Sequence, residues 1–332
     1  MTMNKYLLGT LFVLALLSTG IVTSAAPAPA IELPPLTQPA SGETHSGKVI
    51  WADLVTPDLQ QAENFYAGLF GWTFTPAAGD TKFAVASLEG RPVAGLLQRA
   101  PGSEKRQPAW LTFLAVRDVA AAQRSVKANG GKVLEAPRDF PQRGRQAVFA
   151  DPDGAVFAVL ASSSGDPPDF MPEPGDWIWS SVLVKNADRE TGFYRALFGY
   201  EVFDQPADDM SRHVILASDD YARAGIHTLP DNQHRHPHWL NFVRVADVGA
   251  AVGKAVQLGG RILVDPRPDR QGGQLAVVAD PSGAPIGLME WPDADEQSDA
   301  SGAVAPGTPP SPGETPAPGA APAPGSPPAG SR

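Results

Sequence analysis

The chain has 332 residues, 42% of them apolar, enough to bury more than one core. It contains no cysteine, which excludes disulfides and thiolate metal sites, and its net charge of −10 argues against a nucleic-acid partner. From the N-terminus, Met1–Lys5 is short and carries a positive residue, Tyr6–Val22 is apolar, and Thr23-Ser24-Ala25 supplies small residues before a cut near Ala25/Ala26. That layout predicts a signal peptide over 1–25 and an exported protein, periplasmic or extracellular; an uncleaved membrane anchor is the alternative. Residues 26–46, rich in Pro and Ala, read as a linker.

A strand is predicted over Lys48–Val55, and Thr56-Pro57 then opens a helix. Leu59, Ala62, Tyr66 and Leu69 recur at helical spacing, and Gly71 ends the run. Three short strands follow, Trp72–Thr75, Lys82–Leu88 and Pro92–Gln98. The pattern then restarts with strand Ala109–Val116, a helix capped by Asp118 and closed by Gly130-Gly131, and strands at Lys132–Glu135, Gln146–Ala150 and Ala155–Ala161.

Two motifs are written twice. Phe65-Tyr66-Ala67-Gly68-Leu69-Phe70-Gly71 returns 128 residues on as Phe193-Tyr194-Arg195-Ala196-Leu197-Phe198-Gly199. Asp151-Pro152-Asp153-Gly154 returns 129 residues on as Asp280-Pro281-Ser282-Gly283. The chain is therefore a tandem duplication, with copies over 47–162 and 176–291 joined by a linker over 163–175. In copy two, strands are predicted at Trp179–Val184, His213–Ala217, Ala222–Thr228, His238–Val245, Arg261–Val264, Gln274–Ala279 and Ala284–Trp291, with helices at Ala187–Phe198 and Val248–Leu258. The tail over 292–332 is Pro, Ala, Gly and Ser with little else apolar. It is expected to be disordered and solvated, a loose envelope contact being the alternative.

The fold class is α+β: four βαβββ units in two pairs. The strand-Pro57-Asp58-Leu59-helix entry, the FYxxLFG helix end, the Val116-Arg117-Asp118-Val119 entry and the Asp-Pro-Asp-Gly turn, in that order and repeated, resemble the vicinal oxygen chelate superfamily. That group includes glyoxalase I, extradiol dioxygenases and bleomycin-resistance proteins. The resemblance implies that each pair curls into one open cup. It also implies that metal-dependent members hold a divalent ion on four cup-floor positions, usually His, Glu or Gln.

Carried onto this sequence, those positions are Trp51, Gly95, Leu111 and Ala158 in copy one, and Trp179, Gly225, Leu240 and Gly287 in copy two. None can coordinate a metal, so no cofactor is expected. Strand alternation then predicts the cup faces. The first is apolar with one carboxylate, and includes Trp51, Asp53, Val93 and Phe113. The second is polar and cationic, with Trp179, Ser181, Arg223, His227, His238, Phe242, Arg244, Met289 and Trp291.

Three readings of cup two stand open. His227 and His238 form a displaced divalent-metal site; Arg223 and Arg244 clamp an anion while Trp179 and Trp291 stack on a flat ligand; or the arginines pair at the rim and the cup is merely filled. The His234-Arg235-His236-Pro237-His238 run reads as solvated surface, as do the basic loops at Arg143-Gly144-Arg145 and Arg267–Gln274, for which mouths of the cups are the alternative. The expected function is that of an exported small-molecule binder, the small molecule being its partner, with Trp51 and Asp53 lining a lesser cup. The alternatives are a lyase, isomerase or hydroxylase-like enzyme using His227 or His238 as acid/base, and a non-catalytic envelope protein.

Overall fold

The capping chemistry expected at the helix ends is present, two residues later than predicted at the first. Asp58, not Thr56, caps the first helix, accepting from the Gln61 amide at 3.0 Å, and Gly71 ends it at φ 74°. The computed structural model describes residues 32–77, 80–99, 108–205, 212–229, 236–269 and 272–291. The predicted signal peptide, the tail over 292–332 and His234-Arg235 lie outside the described residues. Among those described, no helix is long and apolar enough to cross a membrane.

Copy one runs β1 (Val49–Thr56), α1 (Leu59–Phe70), β2 (Thr73–Ala77), β3 (Asp80–Leu88), β4 (Arg91–Gln98), β5 (Ala109–Ala115), α2 (Val119–Ala128), β6 (Lys132–Phe140), β7 (Gly144–Ala150) and β8 (Val156–Ser162). Copy two repeats it as β9 (Trp177–Val184), α3 (Ala187–Phe198), β10 (Glu201–Gln205), β11 (His213–Ser218), β12 (Tyr221–Thr228), β13 (His238–Arg244), α4 (Val248–Gln257), β14 (Arg261–Pro268), β15 (Gln274–Ala279) and β16 (Pro285–Met289). Strand β10 was not anticipated, because Glu201, Asp204 and Gln205 give it no apolar alternation. Strands β6 and β14 run well past their predicted ends.

Each copy folds into one eight-stranded sheet, β2-β3-β4-β1-β5-β8-β7-β6 and β10-β11-β12-β9-β13-β16-β15-β14. The units of a pair meet where β1 runs antiparallel to β5, and β9 to β13. The α+β class and the four βαβββ units are as expected.

On their helix-bearing sides the copies share their cores. One apolar cluster joins α1 and β4 of copy one to α4, β15 and β16 of copy two. The other joins α2, β7 and β8 to α3, β11 and β12. The helix-bearing faces of the two sheets thus cover each other, and both copies belong to one compact unit.

The repeated motifs make that junction. Tyr66 donates to Asp280 Oδ2 at 3.1 Å and accepts from the Trp110 indole at 3.1 Å. Reciprocally, Tyr194 donates to Asp151 Oδ2 at 3.0 Å and accepts from Trp239 at 3.0 Å. Gly131 and Gly260 are needed at the same places, since a Cβ there would lie 2.9 Å from Phe193 and 2.8 Å from Phe65. The FYxxLFG helix of each copy is therefore clasped by the Asp-Pro-x-Gly turn of the other.

The 26–46 linker needs correction from residue 32 on. Leu33 and Leu36 are buried in the first cup's apolar cluster. Ser164 anchors this strap, its Oγ accepting from the Leu36 amide at 3.0 Å and its carbonyl from the Ser41 amide at 2.9 Å. The 163–175 linker is likewise fixed, with Ser164 and Asp166 buried.

Candidate functional site

The cup faces lie opposite the helices, and register places the floor. In copy one, Gly95, Asp53 and Leu111 form one row across β4, β1 and β5, and Trp51, Phe113 and Ala158 form the next across β1, β5 and β8. In copy two the rows are Gly225, Ser181, Leu240 and Trp179, Phe242, Gly287. All eight positions carried over from the resemblance fall on these rows. The space where a longer side chain would stand is already occupied. A Cβ at Gly95 would collide with the Asp53 carboxylate and Phe83, and one at Gly287 with the Phe242 ring. Among the described residues, no group of three or more His, Asp or Glu side chains is placed to hold a metal ion.

Cup one is not simply apolar. Trp51 is 4% exposed, and its indole donates to Asp53 Oδ1 at 2.7 Å. Arg143, read from sequence as a solvated loop residue, is 2% exposed and lies 4.2 Å from the centre of the Trp51 ring. Burial pushes the Asp53 carboxyl up, against the pull of Arg143 and the Trp51 N–H. Burial also lowers the Arg143 guanidinium to about 10, with Asp53 opposing. The signal that could have found Arg143 is the turn's Gly144, at φ 116°, which folds the chain back so that its predecessor points inward. Val93 is a second correction: it packs in the helix-side core instead of the cup. A bulge explains it, since Ala86 pairs with Ala94 but Ser87 with Pro92, leaving Val93 unpaired and out of alternation.

The equivalent bulge removes Arg223 from cup two, where it was expected to bind a ligand: Leu216 pairs with Ala224, and Ala217 with Ala222. Arg223 instead faces a groove of about 880 Å³ between the starts of β1 and β9, under Pro34–Pro39 and the Pro167–Pro172 segment. There its Nη1 donates to both Asp169 oxygens at 2.9 and 3.0 Å, and Lys48 Nζ lies 2.7 Å from Asp169 Oδ1. Burial works against the Asp169 charge, yet Lys48 and Arg223 hold its carboxyl below the ordinary value. Arg244 is tied to backbone, donating to the Pro172 carbonyl at 2.7 Å and the Trp291 carbonyl at 3.3 Å. Both arginines are thus engaged within the protein.

What remains at cup two is aromatic. Leu240, Phe242, Met289 and Trp291 are buried in one cluster, with half-buried Trp179 and Leu183 packed on it. The Trp179 indole donates to Ser181 Oγ at 2.9 Å, as Trp51 does to Asp53. His227 and His238 share a cross-sheet row, each pairing with Leu183 between them. His213, missed from sequence, extends that row: it pairs with His227, and the rings meet edge-on at 4.4 Å. Repeat alignment with Phe83, a cup-one residue, could have found it. His238 Nδ1 lies 2.8 Å from the His236 carbonyl. Glu290 is on the other face and caps α4 by accepting from the Val248 amide at 2.7 Å.

Comparison with known proteins agrees with this architecture. The model of the Glyoxalase/Bleomycin resistance protein/Dioxygenase superfamily matches residues 48–159, and that of the Glyoxalase-like domain matches 180–289. The anthracycline biosynthesis protein DauV of Streptomyces sp. strain C5 is 33% identical over 75% of this chain and 94% of its own length. DnrV of Streptomyces peucetius, also an anthracycline biosynthesis protein, is 32% identical over 74% of this chain and 93% of its own. The Mn(II)-bound glyoxalase of Novosphingobium aromaticivorans shares the fold at a TM-score of 0.55 and 19% identity, covering 74% of this chain and 83% of that one. The chain belongs to the glyoxalase/bleomycin resistance protein/dioxygenase superfamily as a tandem two-domain member.

Proposed function

We propose that cup two binds a flat aromatic small molecule without a metal. The observation that carries this is the wall of Trp179, Phe242, Met289 and Trp291, set beside Ser181 and the histidine row. Aromatic rings offer large contact area at fixed geometry, and a few polar groups then orient the ligand. The two Streptomyces relatives support the same class, because anthracyclines are fused-ring aromatics. The residues present do not fit a metal: the floor positions carry no donor atoms, and neighbouring side chains fill the places of two of them.

A second reading rests on the edge-on contact of His213 and His227. A histidine at the cup floor can move a proton to or from a phenol or an enolisable ketone, which makes the protein a lyase, isomerase or hydroxylase-like enzyme. His238 stands two strands away and serves a different part of the ligand. We place the protein outside the cytoplasm, on the pattern of residues 1–25.

The test is titration of the full chain with a hydroxylated anthraquinone such as alizarin, before and after chelator treatment. Binding should survive the chelator and be lost in Trp179→Ala and Phe242→Ala. Binding that needs an added divalent ion sinks the metal-free reading. A change in the probe's mass that disappears in His227→Ala, with binding retained, selects the enzyme.

A further inference from the structure

The geometry points to cup one as a second, separate site, for a carboxylate anchored by Arg143 and covered by the N-terminal strap. The argument begins with what Arg143 lacks. Its side chain is 2% exposed, yet its Nε and Nη2 have no hydrogen-bond partner. Those two atoms are one edge of the guanidinium, the edge that takes a carboxylate through two parallel N–H···O bonds. Buried donors are ordinarily satisfied, and a charged one without partners is costly.

The surroundings hold Arg143 in place. Its amide donates to the Phe140 carbonyl at 3.1 Å, and its own carbonyl accepts from Ser163 at 3.1 Å. The guanidinium stacks on Trp51, and Asp53 has Oδ1 engaged by the Trp51 indole. Copy two has Gly272 at the equivalent turn position, so this arginine is particular to cup one. The ring face of Trp51, together with Phe83, Phe113 and Phe140 of the same cluster, suits the apolar body of a small aromatic carboxylate.

Leu33 and Leu36 of the strap sit in that cluster. The strap is held by side-chain and backbone bonds to Ser164 and to Asp166, not by strand pairing. A ligand that fills the cup therefore competes with two leucines, and cup one is a site with its own cover.

The experiment is calorimetric titration of the full chain with benzoate. It uses wild type, Leu33→Ser/Leu36→Ser, and that strap variant carrying Arg143→Met or Arg143→Lys. The strap variant should bind one benzoate per chain about tenfold or more tighter than wild type, because its cover is less apolar. Arg143→Met should weaken that binding by about tenfold or more, and Arg143→Lys, which keeps charge but not the fork, should fall between. Equal affinity in Arg143→Met overturns the proposal, as does absence of binding to the strap variant. Should the strap variant fail to fold, the wild type decides: an Arg143-dependent rise in its melting temperature at millimolar benzoate is expected, and no rise overturns the site. Benzoate binding that persists in Arg143→Met and disappears in Trp179→Ala belongs to cup two and also overturns it.

Discussion

Tyr194 donates a hydrogen bond to Asp151 across the junction between the copies, and Glu190, on the same helix, is fully buried close to that pair. Burial, the Tyr194 bond notwithstanding, pushes the Asp151 carboxyl up to about 6. Burial, reinforced by Asp151, pushes Glu190 up to about 7. Both groups hold a proton more tightly folded than unfolded. The stability they confer is fully present below their ordinary values of 3.8 and 4.5, and is lost as pH rises through about 6 and about 7. Glu190→Gln should flatten that loss. Urea midpoints should show the variant more stable than wild type at pH 8 by roughly 1–2 kcal/mol, with the gap closing by pH 5. A gap that widens toward acid contradicts the assignment.

Tyr66→Phe leaves the Trp110 indole and an Asp280 oxygen without their partner. A buried polar group stripped of its bond costs about 1–3 kcal/mol, so the thermal midpoint should fall measurably in scanning calorimetry. Tyr194→Phe should fall similarly, and because the two clasps sit in different apolar clusters and share no partner the double variant should be close to additive.

Restoring a metal-ligand side chain to the cup floor should fail. In Gly95→His the new atoms meet Asp53 and Phe83. Overpacking of this kind costs about 1–3 kcal/mol. The variant should melt below wild type and take up no stoichiometric zinc by elemental analysis.

Leu36→Ala tests whether the strap is part of the fold. A loose linker would tolerate it. A buried leucine cut to alanine costs about 2–5 kcal/mol where the site cannot collapse. Equilibrium denaturation should place the loss toward the lower end, since the strap can shift.

Much of the fold was readable because it rests on local signals. Asp118 and Asp247 announce helix starts, Gly71 and Gly199 announce ends, and α3 and β15 fall where spacing put them. The duplication made each signal count twice. The cups were less readable because alternation presumes an unbroken ladder. Bulges at Val93 and Arg223 turn those side chains to the other side, and nothing in the local sequence marks them. Arg143 was obscured by composition: Arg-Gly-Arg looks like surface until Trp51 is placed beneath it. His213 was missed because only alignment of the repeats, which sets it at the place of Phe83, marks its position on the cup face. The meaning of FYxxLFG was hidden for a different reason: its partner lies 214 residues away at Asp280, and a contact of that range leaves no local trace.

The shared cores carry a consequence for how this molecule can vary. A lone copy would expose its helix-bearing face, and could cover it only by pairing with an identical chain about a twofold axis. In such a pair every substitution appears at both chambers at once. Joining the halves through Ser162–Asp176 keeps the mutual cover and removes that constraint. Arg143 now stands opposite Gly272, Asp53 opposite Ser181 and Phe83 opposite His213. One folding unit thereby carries two cups free to diverge in their linings, while the clasp that both depend on stays symmetrical.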